Sequence, residues 1–193
     1  MPTTDAQNLQ NAVNYVKTVN WITWTDQDAL ISIYVESAVA KIKEITWIDL
    51  LEMWEIEKKL DGAWQRIVFL PQSAGNIIFV KTSVGINWSQ NDVNASSYVL
   101  KDNGELVFNF NLPRGYKNID VKYTNKFSEF TDIPREYSDL KLALALLVGN
   151  LKNSQETSGI SSESVSWTSI TFDKTTMTSN ITALLNKFIT FSI

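Results

Sequence analysis

The chain of 193 residues contains neither cysteine nor histidine. Without cysteine there are no disulfides and no thiolate metal sites, a composition that suits a reducing compartment. Without histidine the side chain most used for acid-base work near neutral pH, and the commonest transition-metal ligand, is gone. Catalysis is therefore not expected, and neither is a cofactor or a metal. The seven glycines are scattered, so no Gly-x-Gly-x-x-Gly or Walker loop exists to cradle a phosphate. Lys and Arg total 17 against 21 Asp and Glu, a net charge of -4, and nowhere do the basic residues cluster as a dedicated nucleic-acid binder requires. No apolar run reaches the length of a membrane span. The opening MPTTDAQNLQ has no basic n-region and no apolar segment, so a secretory signal is not expected.

What is present has the apolar and charged content of an ordinary globular protein, at a length that suits one domain. Thr4 is the expected N-cap of a first helix ending near Val19, with Leu9, Ala12, Val13, Val16 and Val19 at helical spacing. Thr25 and Asp28 have capping-box spacing for a second helix, whose expected buried stripe is Ala29, Leu30, Ile33, Ala38, Ile42 and Ile45. From Leu50 the pattern turns to strands. LLEMWEIEKKL, the pair Asp61-Gly62 and QRIVFL read as one β-hairpin, YVLK-DNGE-LVFNF as a second, and Ile77 to Lys81 and NIDVKYT as further strands. Pro134 suits the first turn of a long helix, with Glu136 and Asp139 near its positive end.

That helix is the most informative stretch. Ser138 to Leu151 (SDLKLALALLVGNL) is apolar nearly all round, so the fold or a neighbouring copy has to enclose it. A polar spacer, KNSQETS, and GISSESVSWTSITFD follow. A last short helix is expected from Ile181, Leu184, Leu185 and Phe188. The predicted fold class is α+β. Two N-terminal helices, the long buried helix and a short C-terminal helix form a bundle, with a central antiparallel β-rich insertion. The helical parts are 4–47 and 134–153, the insertion 48–130, and a C-terminal arm with its short helix 154–193, all within a single domain 1–193.

VKYTNKF (Val121 to Phe127), DIPREYSDLKLALALLV (Asp132 to Val148) and GISSES (Gly159 to Ser164), with WTDQDALISIYVESAVAKIKEIT (Trp24 to Thr46) upstream, together resemble the gp6-like head-tail connector, or adaptor, proteins of tailed bacteriophages. The order of elements agrees over nearly the whole chain. The resemblance implies a structural virion protein made in the host cytoplasm and lodged in the neck between capsid and tail. It implies a ring of about a dozen copies, a dodecamer, bound beneath the portal protein and extending the channel. The ring would offer a platform to the next neck or tail completion protein, and genomic DNA would pass through the lumen without sequence-specific binding. No membrane is involved. A ring needs one patch on each copy to meet a different patch on the next. The arm from Ser154 to Ile193 is expected to engage the neighbour or the portal, and removing 174–193 is expected to leave the domain folded. Candidate partner-binding residues are Trp64, Ile160, Ser162, Glu163, Trp167, Phe172, Phe188 and Phe191.

Rival chemistry is weaker. The carboxylates Asp49/Glu52, Glu55/Glu57 and Asp132/Glu136/Asp139 have glycosidase composition, but such groups usually lie on solvated faces and at helix starts. Ser162 and Ser164 have no histidine to activate them, and Lys152 reads as a helix-end charge. Seven tryptophans are many for this size. Trp21, Trp24 and Trp47 are expected to seal helix ends. An alternative function is a carbohydrate- or protein-binding module that presents Trp54, Trp64 or Trp88 from the central strands.

Overall fold

The computed structural model describes residues 5–23, 25–51, 55–83, 90–127, 129–157 and 177–189. It is α+β, with four α-helices and two antiparallel sheets. The chain gathers into two compact units, one of residues 1–51 with 129–189, the other centred on 52–128. The first is helical: α1 (Asp5–Val19), α2 (Asp28–Thr46), α3 (Ser138–Thr157) and α4 (Ser179–Asn186).

α3 touches all three other helices, which answers what encloses its apolar surface. Leu140, Ala143, Leu144, Ala145, Leu147, Val148 and Leu151 are buried within this one subunit. Only Leu142 among its leucines is exposed. The helix also runs six residues past Leu151, through what reads as a spacer, because KNSQET holds no glycine or proline to stop it. Pro134 lies outside the helix, before a 3-10 turn at Arg135–Tyr137 that leads into it.

α2 corrects the sequence reading twice. Its buried residues are Ile31, Tyr34, Val35, Ala38, Val39, Ile42 and Thr46, while Ala29 is exposed and Leu30, Ile33 and Ile45 are half-buried. Two offset apolar rows compete at this spacing, and the one with Tyr34, Val35 and Val39 buries more area. The Thr25 capping box does not form. Gln27 is the N-cap residue and makes no side-chain cap bond; Thr25 only accepts the Asp28 N–H on its carbonyl. The Asp28 carboxylate instead pairs with Lys17 at 2.5 Å, joining the start of α2 to the last turn of α1, where each charge opposes the local helix dipole. At the other end Trp47 takes a left-handed conformation, φ 62°, and donates its N–H to the Lys43 carbonyl. Asn8, buried on α1, accepts the Phe130 N–H and donates to the Leu51 carbonyl. It thereby holds both points at which the chain leaves and re-enters the helical unit.

The second unit holds β1 (Glu55–Gly62), β2 (Ile67–Phe69), β3 (Ala74–Ser83), β4 (Gln90–Asp92), β5 (Tyr98–Leu100), β6 (Glu105–Phe108) and β7 (Gly115–Asn125). One sheet has the order β1-β7-β3-β4 and the other β2-β6-β5. Val68, Leu70, Val80, Leu106, Phe108, Leu112, Ile119, Val121 and Tyr123, drawn from both sheets and their connections, form one core. The hairpin read at Asp61-Gly62 is not made: β1 pairs with β7 and β2 with β6. Gly62 serves close approach rather than a turn, since a Cβ there would lie 1.8 Å from the Pro113 carbonyl oxygen. Its N–H reaches Asn118 Oδ1 at 2.8 Å, and Asp61 accepts the Lys117 N–H at 2.7 Å, so the pair docks onto the start of β7. The second hairpin, β5 to β6, forms as read, with Gly104 at φ 85° in the turn. The polar stretch after β3 contains β4 and a 3-10 turn at Ala95–Ser97.

Candidate interaction surfaces

Strand register decides what the two sheets present outward. In the four-stranded sheet Lys59 faces Asp120, Asp120 faces Lys81 and Lys81 faces Asp92, an alternation of charge across all four strands that favours this register over a slipped one. Asp120 is buried and its Oδ1 has no hydrogen-bond partner. Desolvation, then the charge of Glu57 and a hydrogen bond with it, push its carboxyl above the ordinary value of 3.8, against the pull of Lys59 and Lys81. A carboxyl whose folded pKa is raised opposes folding as pH rises through that pKa and ceases to do so below 3.8. Asp120→Asn is therefore expected to raise stability at pH 7 and to leave it unchanged near pH 3. Urea unfolding at the two pH values checks this.

The three-stranded sheet has a different character. Ile67 faces Val107 and Val107 faces Val99, a β-branched row on the side opposite the core residues Val68 and Leu106. Val99 is 66% exposed and Ile67 is also exposed. Trp64, three residues before Ile67, is 66% exposed and sits at φ 57°. A bulky side chain in the left-handed region is uncommon. Tyr116, at the start of β7, is 67% exposed, with the Lys117 ammonium 5.1 Å from its ring centre.

The candidate partner residues separate in the structure. Trp64 projects into solvent from the β unit. Phe188 does not: it is buried and stacked on Tyr137 at 5.7 Å, so its ring is used inside the helical unit. Ile160, Ser162, Glu163, Trp167, Phe172 and Phe191 lie outside the described residues. The far end of the expected arm is likewise no free strap. α4 buries Ile181 and Leu185 and packs on α2 and α3, and Lys187 pairs with Asp139 at 2.5 Å. Sequence reasoning missed Trp21. Read as a helix seal, it is 89% exposed at φ 55°, because the neighbouring Asn20 bonds the Ala145 carbonyl on α3 and leaves the tryptophan on the outside of the turn. Trp47 is half-buried at the end of α2, while Trp24, Trp54 and Trp88 lie outside the described residues. Several carboxylates are taken up structurally: Asp49 pairs with Lys43, Asp139 with Lys187 and Glu55 with Lys122.

The family model of the head completion protein matches residues 11–189. The chain belongs to the head completion protein family. No curated protein matches it. Among solved structures, a chain in the neck of an empty gene transfer agent particle computed with C6 symmetry superposes with a TM-score of 0.59 at 16% identity, over 94% of this chain and 90% of that one. A chain of the native gene transfer agent virion gives 0.59 at 15% identity with the same coverage. These likenesses show a shared fold. As a head completion protein the chain is a structural virion component of the head-tail connector kind, in agreement with the resemblance carried by its sequence motifs. No helix among the described residues is long and apolar enough to cross a membrane.

Proposed function

We propose that this head completion protein is a ring subunit that docks beneath the portal, lengthens the DNA channel and offers a platform to the neck or tail protein that follows. The observation that carries the reading is a family match over nearly the whole chain combined with the fold of a chain from a particle neck computed with C6 symmetry. A dodecamer is compatible with that sixfold symmetry. The helical unit, enclosed by its own four helices, supplies the rigid body of each wedge. The β unit supplies contact surface: Trp64, Val99 and Tyr116 are large, apolar and exposed on an isolated subunit, as anchors for a partner have to be. The net charge of -4 suits a lumen through which DNA slides, since an acidic wall offers few counterion-releasing contacts. In this reading the protein turns over no substrate and needs no cofactor or metal.

Cryo-EM of mature virions tests the proposal. Density for this fold is expected as a closed ring between portal and tail, and a neck without it ends the reading. Trp64→Ala is expected to leave the subunit folded, because the side chain is exposed, and to lower the fraction of particles that carry a complete neck. Thermal unfolding together with particle counts separates the two effects. A neck fraction unchanged by the substitution removes Trp64 from the interface.

A further inference from the structure

The four-stranded sheet carries a pocket of about 530 Å³ near the start of β7, with Lys59 of β1, Gln90 of β4 and Tyr116, Lys117 and Asp120 of β7 in its wall. Asn118, also in the wall, has its side chain fully engaged: it accepts the Gly62 N–H and donates to the Pro113 carbonyl. Asp120 differs. It is only 8% exposed, and its cross-strand neighbours Lys59 and Lys81 leave Oδ1 without a hydrogen-bond partner. A buried acceptor in that condition destabilises the isolated subunit until a donor reaches it. The last torsion of an aspartate is soft and nearly two-fold, so the carboxylate can turn an oxygen toward a donor in the pocket. The wall also states which donor it suits. A cation meets the like charges of Lys59 and Lys117, and an anion meets Asp120. A neutral aromatic ring with an N–H on its edge satisfies both: its face attracts the ammonium groups, its edge donates to the carboxylate, and Tyr116, 67% exposed, offers a ring to stack on. Indole is the side chain of that description, since its nitrogen donates and accepts nothing.

We infer that this pocket receives the indole of Trp21 from a second copy of the chain. At 89% exposure Trp21 is the most exposed large apolar side chain among the described residues. It is also held out rigidly. Asn20 beside it donates to the Val16 carbonyl on α1 and to the Ala145 carbonyl on α3. Gly149 of α3 lies so close that a Cβ there would stand 2.6 Å from Asn20 Oδ1. On the other side Ile22 is buried and donates its N–H to the Lys17 carbonyl. An anchor fixed from both sides loses little freedom on docking, and tryptophan is the commonest side chain to dominate such a contact. The pocket has room for an indole. Knob and pocket lie on different units of the subunit, Trp21 on the helical one and Asp120 on the β one, so that copies joined through them meet by unlike patches, as a ring requires. This contact rests on the ring reading, which supplies the second copy.

The absence of cysteine makes the test direct. One population of full-length chains carries Thr23→Cys, two residues from Trp21 and exposed. The other carries Gln90→Cys, exposed at the pocket wall. The two are mixed, assembled on portal-bearing particles and treated with a short thiol-specific bifunctional crosslinker. A two-chain product is expected on denaturing gels, absent when either population is treated alone with wild type. Adding Trp21→Ala to the first population is expected to lower its yield about tenfold or more, the scale on which anchor tryptophans act, with the thermal unfolding of the chain unchanged. Trp21→Phe, which keeps a ring but leaves Asp120 without its donor, is expected to lower the yield as well. Normal rings without the product, or with a yield that neither substitution reduces, overturn the contact and leave the ring reading intact. A chain with both cysteines that closes only on itself, at monomer mass, also overturns it. Failure of the ring reading would be seen independently by imaging the particles. In that case the same mixed treatment of concentrated purified chain decides the pocket: a two-chain product that Trp21→Ala removes supports it, and its absence ends it.

Discussion

Replacing Leu144 with alanine is expected to lower the unfolding free energy by about 2–5 kcal/mol, the range for leucine truncation in a core that cannot collapse around the void. Leu144 is fully buried, as are its neighbours Ala143, Ala145, Leu147 and Val148, and α3 meets α1, α2 and α4. The surrounding wall is therefore fixed from several sides and relaxes little. Leu147→Ala is expected to behave alike, whereas Leu142→Ala, on the exposed face of the same helix, is expected to cost well under 1 kcal/mol. Urea unfolding of the three variants checks the contrast. Equal midpoints for Leu144→Ala and wild type would place α3 against a partner molecule instead of its own subunit.

Deleting residues 178–193 is expected to do more, because it removes α4. Ile181, Leu185 and Phe188 are buried, and apolar side chains of this size contribute about 1.5–3 kcal/mol each on burial. The deletion also strips cover from α3 and takes away the Lys187–Asp139 pair. A loss of about 5 kcal/mol or more approaches the whole stability of an ordinary domain. The truncated helical unit is expected to lose cooperative unfolding and to expose apolar surface, measured as a broadened thermal transition and increased dye binding. This reverses what the sequence suggested for removal of 174–193, and the reason is specific: a short amphipathic helix after a polar stretch looks detachable until its partner face is known. A truncated chain that melts as sharply as the full one would show that α4 adds nothing to the helical core.

The helices and most strands were legible because they carry periodic signals. α1, α3, α4 and the β5–β6 hairpin lie within a few residues of where spacing and turn chemistry put them. Where the reading went astray, a local signal had two physical uses. Asp61-Gly62 is a turn pair by composition, yet Gly62 is required by the approach of the Pro113 carbonyl and Asp61 by the Lys117 N–H, both far along the chain. Asp28 fits a capping box, but Lys17 on the preceding helix takes its carboxylate. Trp21 looks in sequence terms like any tryptophan that seals a helix end, and only its left-handed backbone and the bond of Asn20 to α3 turn it outward.

The sequence by itself determined which side chains are missing, histidine and cysteine above all, and that its few glycines form no phosphate-binding loop. It also determined the α+β class and the motifs that place it among connectors, since these rest on residue types and on periods of 2 and 3.6 that need no partner to be read. Tertiary structure alone decided that α3 is enclosed by its own subunit, that α4 belongs to the core, and that β1 and β2 lie in different sheets. Each of these is a pairing between segments distant in the chain, and it is settled by which faces bury the most apolar area together, a quantity that no single segment carries.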